Sequence, residues 1–415
     1  MISGLKAFLY RHPPLRRAAE SARDTLKRLI FLVRTAGIRG NGHSVVFCSY
    51  LGRQYACSPK AIYEYMLGDE KYADYTFVWA FRDVGAFEDI PADEVRTKKV
   101  VYLSAEFDKE MSKAGYWIFN ARVPAYIRKR KDQTYIQTWH GTPLKRLGLD
   151  VKGYITGADD IKSLHKSFRS DGRRMDVLIS PSPFYTEAMS GAFGLNGSLS
   201  QKVRQLGYPR NDALYHADDI ARLEIRVKLG IPEGARVILY APTWRETSLD
   251  ASKGSTYSAG LKYDSGLDMA EFIAKIPRDV VVLLRTHYFV AAHAACDGCE
   301  DRIIDVSDYP DINELYIASD MLMTDYSSVM FDFAILGRPM LFYMYDLESY
   351  RNIRDWYFPI EELPGDIITR EENLPQAVER ALEGNEAYGE KALEFAEKYY
   401  PMGGDSAKRV CESLL

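Results

Sequence analysis

The stretch from residue 305 to residue 343 constrains the fold more than any other part of the chain. It contains, in order, a helical segment, the apolar run 321–324, a polar turn, a second helical segment and the apolar run 340–343. Short apolar runs that alternate with helices are typical of parallel strands that are buried on both faces of a sheet. The stretch therefore predicts part of a doubly wound α/β domain.

The polar turn in this stretch predicts a phosphate site. It contains Asp325, Ser327 and Ser328, and Asp332 follows on the same face of the next helix. A helix N-terminus offers backbone N–H groups and a positive dipole end to an anion. The alternative is that one serine only caps the helix, which is a common role for serine. Asp332 could accept a hydrogen bond from a ribose hydroxyl, or it could form a salt bridge within the helix.

A second polar tip follows the apolar run 135–139 and contains His140, Gly141 and Thr142, with Lys145 shortly after. Ligands of α/β sheets bind at the carboxyl ends of strands, and a glycine leaves room beside a histidine. A lone histidine more often has a structural role, but its place at a strand end with basic residues one turn later favours contact with a substrate.

Two further apolar runs end in polar residues of the same kind. The run 280–284 leads to Arg285 and His287, which point the same way on an extended chain, and the run 237–241 leads to Thr243 and Arg245. Together with the serine turn, these strand ends predict one anion site. The alternative is that the same residues are scattered over the surface.

Composition is that of a large soluble enzyme. The chain has 415 residues, 47% of them hydrophobic and 27% charged, and no apolar run approaches the length of a membrane span. Five cysteines, an odd number, favour free thiols in a reducing compartment. Cys296 and Cys299 form one C-x-x-C pair, but no second pair completes a zinc site.

The N-terminus carries a charge opposite to that of the rest. Residues 1–39 have a net charge of +7, and the remainder has −11. Leu26, Leu29, Ile30 and Val33 have the spacing of one helical face, which predicts a basic amphipathic helix on an anionic membrane surface. The alternative is a helix that packs on the body of the protein or on a second subunit. Nucleic acid is not expected as a partner, because the rest of the chain is acidic.

The runs divide into two groups that predict two domains. The candidate strands are 45–50, 76–81, 99–103, 116–120, 135–139 and 177–180 in the first group, and 237–241, 281–285, 303–306, 321–324 and 340–343 in the second. The segment 207–212, GYPRND, interrupts the pattern, so a hinge is expected near 208–232. The predicted parts are a membrane-association segment at 1–39, an N-terminal domain at 40–212 and a C-terminal domain at 213–415. The polar segment 246–266 is a candidate lid.

Several motifs carry a resemblance to a known family. The motifs WHGTPLK, APTWR and RTHY, together with the block D-x-S-x-Y-x-D-I-x-E-L-x-x-x-A-D-x-x-x-T-D-Y-S-S-x-x-F-D-F, resemble the CDP-glycerol glycerophosphotransferases, which prime and extend teichoic acids. The resemblance spans roughly residues 44–360 and implies a GT-B-like architecture, with two doubly wound parallel-sheet domains that face a central cleft. The donor nucleotide would then lie on the C-terminal domain and the acceptor on the N-terminal one.

The resemblance also implies a reaction, in which an acceptor hydroxyl attacks the glycerol-bearing phosphorus of CDP-glycerol and CMP leaves. His140 is assigned as the base and His287 as a hydrogen-bond donor or acid. The predicted donor and phosphate residues are Thr243, Arg245, Arg285, Asp325, Ser327, Ser328 and Asp332, and the predicted acceptor-side residues are Gly141, Thr142 and Lys145. No metal or other obligatory cofactor is expected.

The expected partners are a CDP-polyol donor, an acceptor that is a lipid-linked saccharide or a polyol phosphate, and the cytoplasmic face of the cell membrane. Homo-oligomer formation stays open. A CDP-ribitol-dependent enzyme is the nearest alternative, and a GT-B sugar-nucleotide glycosyltransferase is a more distant one. A scaffold that has lost catalysis would be expected to lack His140 or the serine pair, and both are present.

Overall fold

A computed structural model describes residues 13–87, 90–91, 93, 95–152, 161–243, 267–285, 301–348 and 356–415. Within these residues the chain forms two parallel sheets with helices packed against them. The predicted α/β class with two doubly wound domains is confirmed.

The first sheet has seven parallel strands in the part of the chain that the structure describes. They are β1 Asn41–Cys48, β2 Thr76–Phe81, β3 Thr97–Val101, β4 Ala114–Phe119, β5 Thr134–Gln137, β6 Val177–Ser180 and β7 Val203–Gln205. Their order across the sheet is β3-β2-β1-β4-β5-β6-β7. The order changes direction between β1 and β4, which leaves a crevice at the carboxyl ends of these strands.

The second sheet has six parallel strands among the described residues. They are β8 Arg236–Tyr240, β9 Val280–Leu284, β10 Ile303–Asp305, β11 Met321–Thr324, β12 Met340–Tyr343 and β13 Asp366–Ile368. Their order is β10-β9-β8-β11-β12-β13, so the corresponding crevice lies between β8 and β11.

Helices connect and cover the strands. Those in the described ranges are α1 Pro13–Arg34, α2 Cys57–Gly68, α3 Ala105–Lys113, α4 Ile161–Arg174, α5 Pro183–Phe193, α6 Asp212–Tyr215, α7 Asp219–Lys228, α8 Met269–Lys275, α9 Ile312–Ala318, α10 Val329–Phe333, α11 Leu374–Glu383, α12 Asn385–Tyr399 and α13 Ser406–Leu414. None of them is long and apolar enough to cross a membrane.

Both sheets are buried on both faces. Trp117 of β4 and Trp79 of β2 are fully buried, and they belong to the apolar clusters on opposite faces of the first sheet. Ile238 and Leu239 are neighbours on β8 and belong to opposite clusters of the second sheet. Because successive strand residues point to opposite faces, a strand buried on both sides must be apolar throughout. This requirement explains the uninterrupted apolar runs in the sequence.

The last helix returns to the first sheet. Val410 and Cys411 of α13 belong to an apolar cluster of the first sheet, and the Tyr75 hydroxyl donates a hydrogen bond of 2.9 Å to the Leu415 carbonyl. The predicted domain 213–415 includes α13, whereas this helix packs against the N-terminal domain. The apolar face of α13 covers α2, a contact that sequence proximity does not reveal.

Helix α1 contacts the body of the protein near its C-terminal end. Phe31 is buried, and its ring meets the edge of the Tyr126 ring at a centroid distance of 6.1 Å. Arg34 forms an ion pair of 2.7 Å with Asp108. The helix covers the stretch in which the sequence predicts a basic amphipathic helix.

Candidate active site

One wall of the site forms where the first sheet changes direction. The backbone N–H of Tyr50, after β1, donates a hydrogen bond of 2.7 Å to Oδ1 of Asn120, after β4. The carbonyl of Asn120 lies 2.6 Å from Nδ1 of His140, which follows β5. Three strand ends are therefore joined around one imidazole. Asn120 did not stand out in the sequence, since a single asparagine after an apolar run is an ordinary turn residue.

The surroundings of His140 suit a proton acceptor. The Asn120 carbonyl can only accept a hydrogen bond, so Nδ1 carries the proton and Nε2 is the basic nitrogen. Burial lowers the pKa of His140 below its usual 6.5, the Asn120 carbonyl opposes this shift, and the positive charge of Arg210 lowers the pKa further. The imidazole is therefore neutral and able to take a proton at neutral pH.

The loop that carries His140 has an unusual backbone. Trp139 has φ of +52°, a left-handed conformation that a bulky side chain rarely adopts. It is held there by a hydrogen bond of 2.9 Å from its N–H to Oε1 of Gln137, and its ring stacks on the His140 ring at 4.5 Å. Backbone strain maintained by surrounding contacts is common at functional sites.

Gly141 brings the two domains together. Its φ is +152°, and a β-carbon placed on it would lie only 3.1 Å from Oγ of Ser328 in the second domain. A side chain at this position would press on the serine turn. The glycine therefore allows the His140 loop and the serine turn to approach across the cleft. Its predicted place on the acceptor side stays a prediction.

The opposite wall forms where the second sheet changes direction. Oδ1 of Asp325, after β11, accepts hydrogen bonds from the N–H and the hydroxyl of Thr243, after β8, at 2.8 and 2.6 Å. It also accepts from the N–H of Tyr326 at 2.6 Å. Asp325 is buried, so its carboxylate fixes the shape of the turn. The predicted direct contact of Asp325 with the donor stays a prediction.

The two serines of the turn are half-buried at the start of α10. Oγ of Ser328 makes no capping hydrogen bond in the described structure, and Oγ of Ser327 is 3.5 Å from the N–H of Val329, at the limit of a hydrogen bond. The capping alternative is therefore supported by one long hydrogen bond at Ser327 and by none at Ser328. Helix α10 is only five residues long, so its dipole offers little to an anion. The serine hydroxyls are the stronger candidates for anion contacts at this turn.

Arg285 follows β9 and lies beside this wall. Its Nη1 donates hydrogen bonds of 2.9 Å to the carbonyls of Val306 and Tyr309, and burial lowers its pKa. These bonds fix the guanidinium at the carboxyl edge of the sheet. The other two predicted members of this group, Arg245 and His287, lie outside the described residues, as does the candidate lid at 246–266.

Asp332 connects the two walls. It is buried, and its carboxylate pairs with Arg210 at 2.9 Å and accepts hydrogen bonds from Asn211 and Tyr400 at 2.9 and 2.8 Å. Nη1 of Arg210 also donates to the His140 carbonyl at 2.8 Å. These contacts resemble the salt-bridge alternative, but they link residues that are distant in sequence. The predicted ribose contact of Asp332 stays a prediction.

Thr142 and Lys145 lie at the domain junction. Thr142 is buried, and its hydroxyl donates to the Tyr400 hydroxyl at 2.9 Å, because the proton of Tyr400 is given to Asp332. Lys145 forms an isolated antiparallel bridge with Trp356. Their predicted acceptor contacts are untested, and both residues already help to hold the domains together.

Arg210, Asn211 and Tyr400 are residues of the site that the sequence analysis missed. The first two lie in the segment GYPRND, which on sequence alone indicates only a domain boundary. Tyr400 carries no local signal. Within the described ranges, no group of three or more His, Cys, Asp or Glu residues is placed to hold a metal ion. Cys296 and Cys299 are outside those ranges.

Known proteins share both the sequence and the fold. The family described as CDP-glycerol:poly(glycerophosphate) glycerophosphotransferase matches residues 31–415. The teichoic acid poly(glycerol phosphate) polymerase of Staphylococcus epidermidis is 38% identical over 376 residues, which cover 90% of this chain and 50% of that protein. The teichoic acid glycerol-phosphate transferase of Staphylococcus aureus is 35% identical over 379 residues, which cover 90% of this chain and 93% of that protein.

The chain thus spans about half the length of the first relative and nearly all of the second. A solved structure of the wall teichoic acid polymerase TagF is 32% identical and has a TM-score of 0.82, with 97% of each chain covered. The predicted GT-B-like architecture is confirmed by this likeness. The chain belongs to the CDP-glycerol:poly(glycerophosphate) glycerophosphotransferase family.

Proposed function

We propose that this protein transfers glycerol phosphate from CDP-glycerol to a hydroxyl of a membrane-linked acceptor in teichoic acid or related polymer synthesis, with release of CMP. The observation that carries the proposal is the approach of the His140 loop to the serine turn, marked by the position of Gly141 against Ser328. The loop that carries a basic nitrogen and the turn that carries two hydroxyls thereby lie next to each other at the carboxyl ends of two sheets, where α/β proteins bind their ligands.

In this mechanism His140 is the general base. The acceptor hydroxyl attacks the glycerol-bearing phosphorus while Nε2 of His140 takes its proton. The bond from this phosphorus to the bridging oxygen breaks, and CMP leaves with the electron pair. A neutral imidazole whose Nδ1 proton is held by the Asn120 carbonyl is oriented for this task.

The second wall binds the donor. Ser327, Ser328 and Arg285 supply hydrogen bonds and positive charge to the diphosphate. Thr243 contributes by holding the shape of the serine turn through its hydrogen bond to Asp325. Arg245 and His287 are assigned to the same wall on sequence alone, with His287 as a hydrogen-bond donor or acid to the departing CMP. No obligatory metal is part of this proposal.

Two alternatives differ in the donor. A CDP-ribitol enzyme would use the same diphosphate contacts, and only the polyol pocket would change. A sugar-nucleotide glycosyltransferase would share the cleft. The names of the two relatives, a glycerol phosphate polymerase and a glycerol-phosphate transferase, favour glycerol.

The proposed acceptor is a lipid-linked saccharide or a polyol phosphate, and the proposed place of the protein is the cytoplasmic face of the membrane. Leu26, Leu29 and Val33 of α1 are 58%, 56% and 78% exposed. Exposed apolar side chains on a helix with basic residues are typical of attachment to an anionic membrane surface. The same face could instead contact a second copy of the chain, which keeps a homo-oligomer open.

The test of the transfer reaction is CMP release. Purified protein is offered CDP-glycerol, CDP-ribitol or a sugar nucleotide, each with and without a lipid-linked acceptor. Acceptor-dependent release of CMP from CDP-glycerol is the expected result. Release from CDP-ribitol alone would assign the other polyol, and turnover of a sugar nucleotide alone would overturn the proposed reaction.

Membrane attachment is tested separately by sedimentation with anionic vesicles. The triple variant Leu26→Ser, Leu29→Ser, Val33→Ser should sediment several-fold less than wild type, because it loses apolar contacts with the membrane while it keeps its charge. A matched variant of three exposed apolar residues of α7, Ile220→Ser, Leu223→Ser, Val227→Ser, is the control. Equal sedimentation of both variants and wild type would contradict attachment through α1. Analytical ultracentrifugation of the same proteins reports the oligomeric state.

A further inference from the structure

Helix α4 presents a row of basic residues to solvent. Lys162, Lys166, Arg169 and Arg173 are exposed and are spaced by four, three and four residues, which places them on one face of the helix. At a rise of about 1.5 Å per residue, the row is about 16 Å long. We call these four residues the cationic row.

Three of the four basic side chains are unpaired within the part of the chain that the structure describes. Lys166, Arg169 and Arg173 make no side-chain hydrogen bond or ion pair with any other described residue, and together with Ser170 and Arg174 they line an open depression of about 600 Å³. The one acidic residue in the sequence of α4 is Asp171.

Asp171 does not face the row. It is buried, and it pairs with Arg174 at 2.5 Å and accepts a hydrogen bond of 3.1 Å from the Tyr135 hydroxyl. Its carboxylate therefore compensates charge in the interior of the domain. On the outer face of α4, Lys166, Arg169 and Arg173 keep their positive charge.

The inner face of α4 supports the proposed active site. Phe168 is buried and packs against the Trp139 ring at a centroid distance of 6.0 Å, and the Trp139 ring stacks on the ring of His140. One imidazole nitrogen of His165 lies 2.9 Å from the Val151 carbonyl, after the His140 loop. The cationic row thus lies on the outer face of α4, in the N-terminal domain. The inner face of the same helix supports the His140 loop.

We propose that the cationic row binds the phosphodiester backbone of a polyol-phosphate chain, as the growing product or a prolonged acceptor, beyond the transfer site. The inference rests on the proposed function, which makes such a chain the acceptor or product. Phosphate groups repeat along this chain, so several of them can pair with successive cations, and arginine can hold two phosphate oxygens at once. The row would favour long chains over short ones.

The side chains of α4 favour a polyanion over a lipid surface. Its large apolar residues Ile161, Leu164 and Phe168 are all at least partly buried, whereas α1 exposes Leu26 and Val33. A helix that lies in a membrane interface needs exposed apolar residues as well as charge. The cationic row has the charge without them.

The test uses the full chain with Lys166→Gln, Arg169→Gln and Arg173→Gln combined. None of these residues belongs to the proposed catalytic or donor-binding groups. The control combines Lys109→Gln, Lys113→Gln and Lys391→Gln, which are also exposed and change the net charge equally. Circular dichroism and thermal unfolding establish that each variant folds.

Two measurements follow for each protein. The first is binding of a fluorescent poly(glycerol phosphate) oligomer, followed by anisotropy without CDP-glycerol at low and at physiological salt. The second is the KM for an acceptor with many glycerol phosphate units and for one with a single unit. The row variant should bind the oligomer roughly three- to thirtyfold more weakly and show a similar rise in KM for the long acceptor only. Its binding should also depend less on salt than that of wild type.

Three outcomes would overturn the inference. The first is unchanged binding of the oligomer by the row variant, and the second is an equal change in KM for the long and the single-unit acceptor. The third is loss of sedimentation with anionic vesicles while oligomer binding stays intact, which would make the row a lipid contact. Failure of the proposed transfer reaction can be told apart from failure of this inference. In the first case wild type would release no CMP with any acceptor, whereas oligomer binding is measured without a donor and does not depend on turnover.

Discussion

The two walls of the cleft share one topological device but carry different side chains. In each sheet the strand order changes direction, and the adjoining strand ends are joined by a buried polar residue, Asn120 in one wall and Asp325 in the other. The first wall holds a neutral imidazole, and the second presents hydroxyls and the Arg285 guanidinium. Equivalent positions in two similar domains can therefore divide proton transfer and phosphate binding between them.

The largest expected effect comes from the first wall. His140→Gln should lower kcat roughly 100- to 10,000-fold, because the acceptor hydroxyl loses its base. The affinity for CDP-glycerol, measured by calorimetry, should stay within a few-fold of wild type, since the proposed donor contacts belong to the other wall.

His216→Gln is the control, since His216 is exposed and pairs only at the surface with Asp405 at 3.2 Å. A large loss of donor affinity in His140→Gln would show that the division of labour between the walls is wrong.

The link between the walls is tested by Asp332→Asn. This change leaves the buried Arg210 without its counter-charge, and breaking a buried pair in this way costs roughly 3–5 kcal/mol in the free energy of unfolding. Because Arg210 also holds the His140 carbonyl, kcat should fall as well. Urea unfolding and steady-state kinetics measure the two effects.

The matched control is Lys60→Gln, which removes a partly exposed pair of 2.6 Å with Asp311 between the same two domains. Pairs of this kind are worth about 1 kcal/mol or less. If both variants lose the same stability, the Asp332 network has no special role at the junction.

The second wall is tested by Ser327→Ala combined with Ser328→Ala. Loss of hydrogen bonds to a charged diphosphate should weaken binding of CDP-glycerol or CDP by roughly tenfold or more. The change in kcat at saturating donor should be smaller than that of His140→Gln. Unchanged donor affinity in calorimetry would remove the serine turn from the donor site.

The smallest effect concerns pH. Because burial lowers the pKa of His140 below 6.5, the base should stay neutral down to mildly acidic pH, and kcat/KM should fall only as the pH drops below about 6.5. The folded state also binds this proton less readily than the unfolded state, so the contribution of His140 to the free energy of unfolding should decrease as the pH falls from about 6.5 to its lowered pKa in the folded state. If the acidic fall of kcat/KM has its midpoint above pH 6.5, a group other than His140 is responsible for it.

The sequence predicted several elements with the bounds that the structure has. The strands at 76–81, 177–180, 321–324 and 340–343 are found as β2, β6, β11 and β12. Each is a short apolar run with polar or turn residues beside it, which is a strong local signal. The edge strands β7 and β13 were missed, because a three-residue strand with mixed polarity has no such signal.

The sequence by itself determined the family, the α/β class and the residues that end the strands, because apolar runs, turn residues and motifs are local properties of the chain. Only the tertiary structure decided which of these residues meet. Gly141 approaches Ser328, and Asp332 joins Arg210 and Tyr400, across long separations in sequence. Such contacts depend on how two sheets pack against each other, and no local pattern of residues encodes that arrangement.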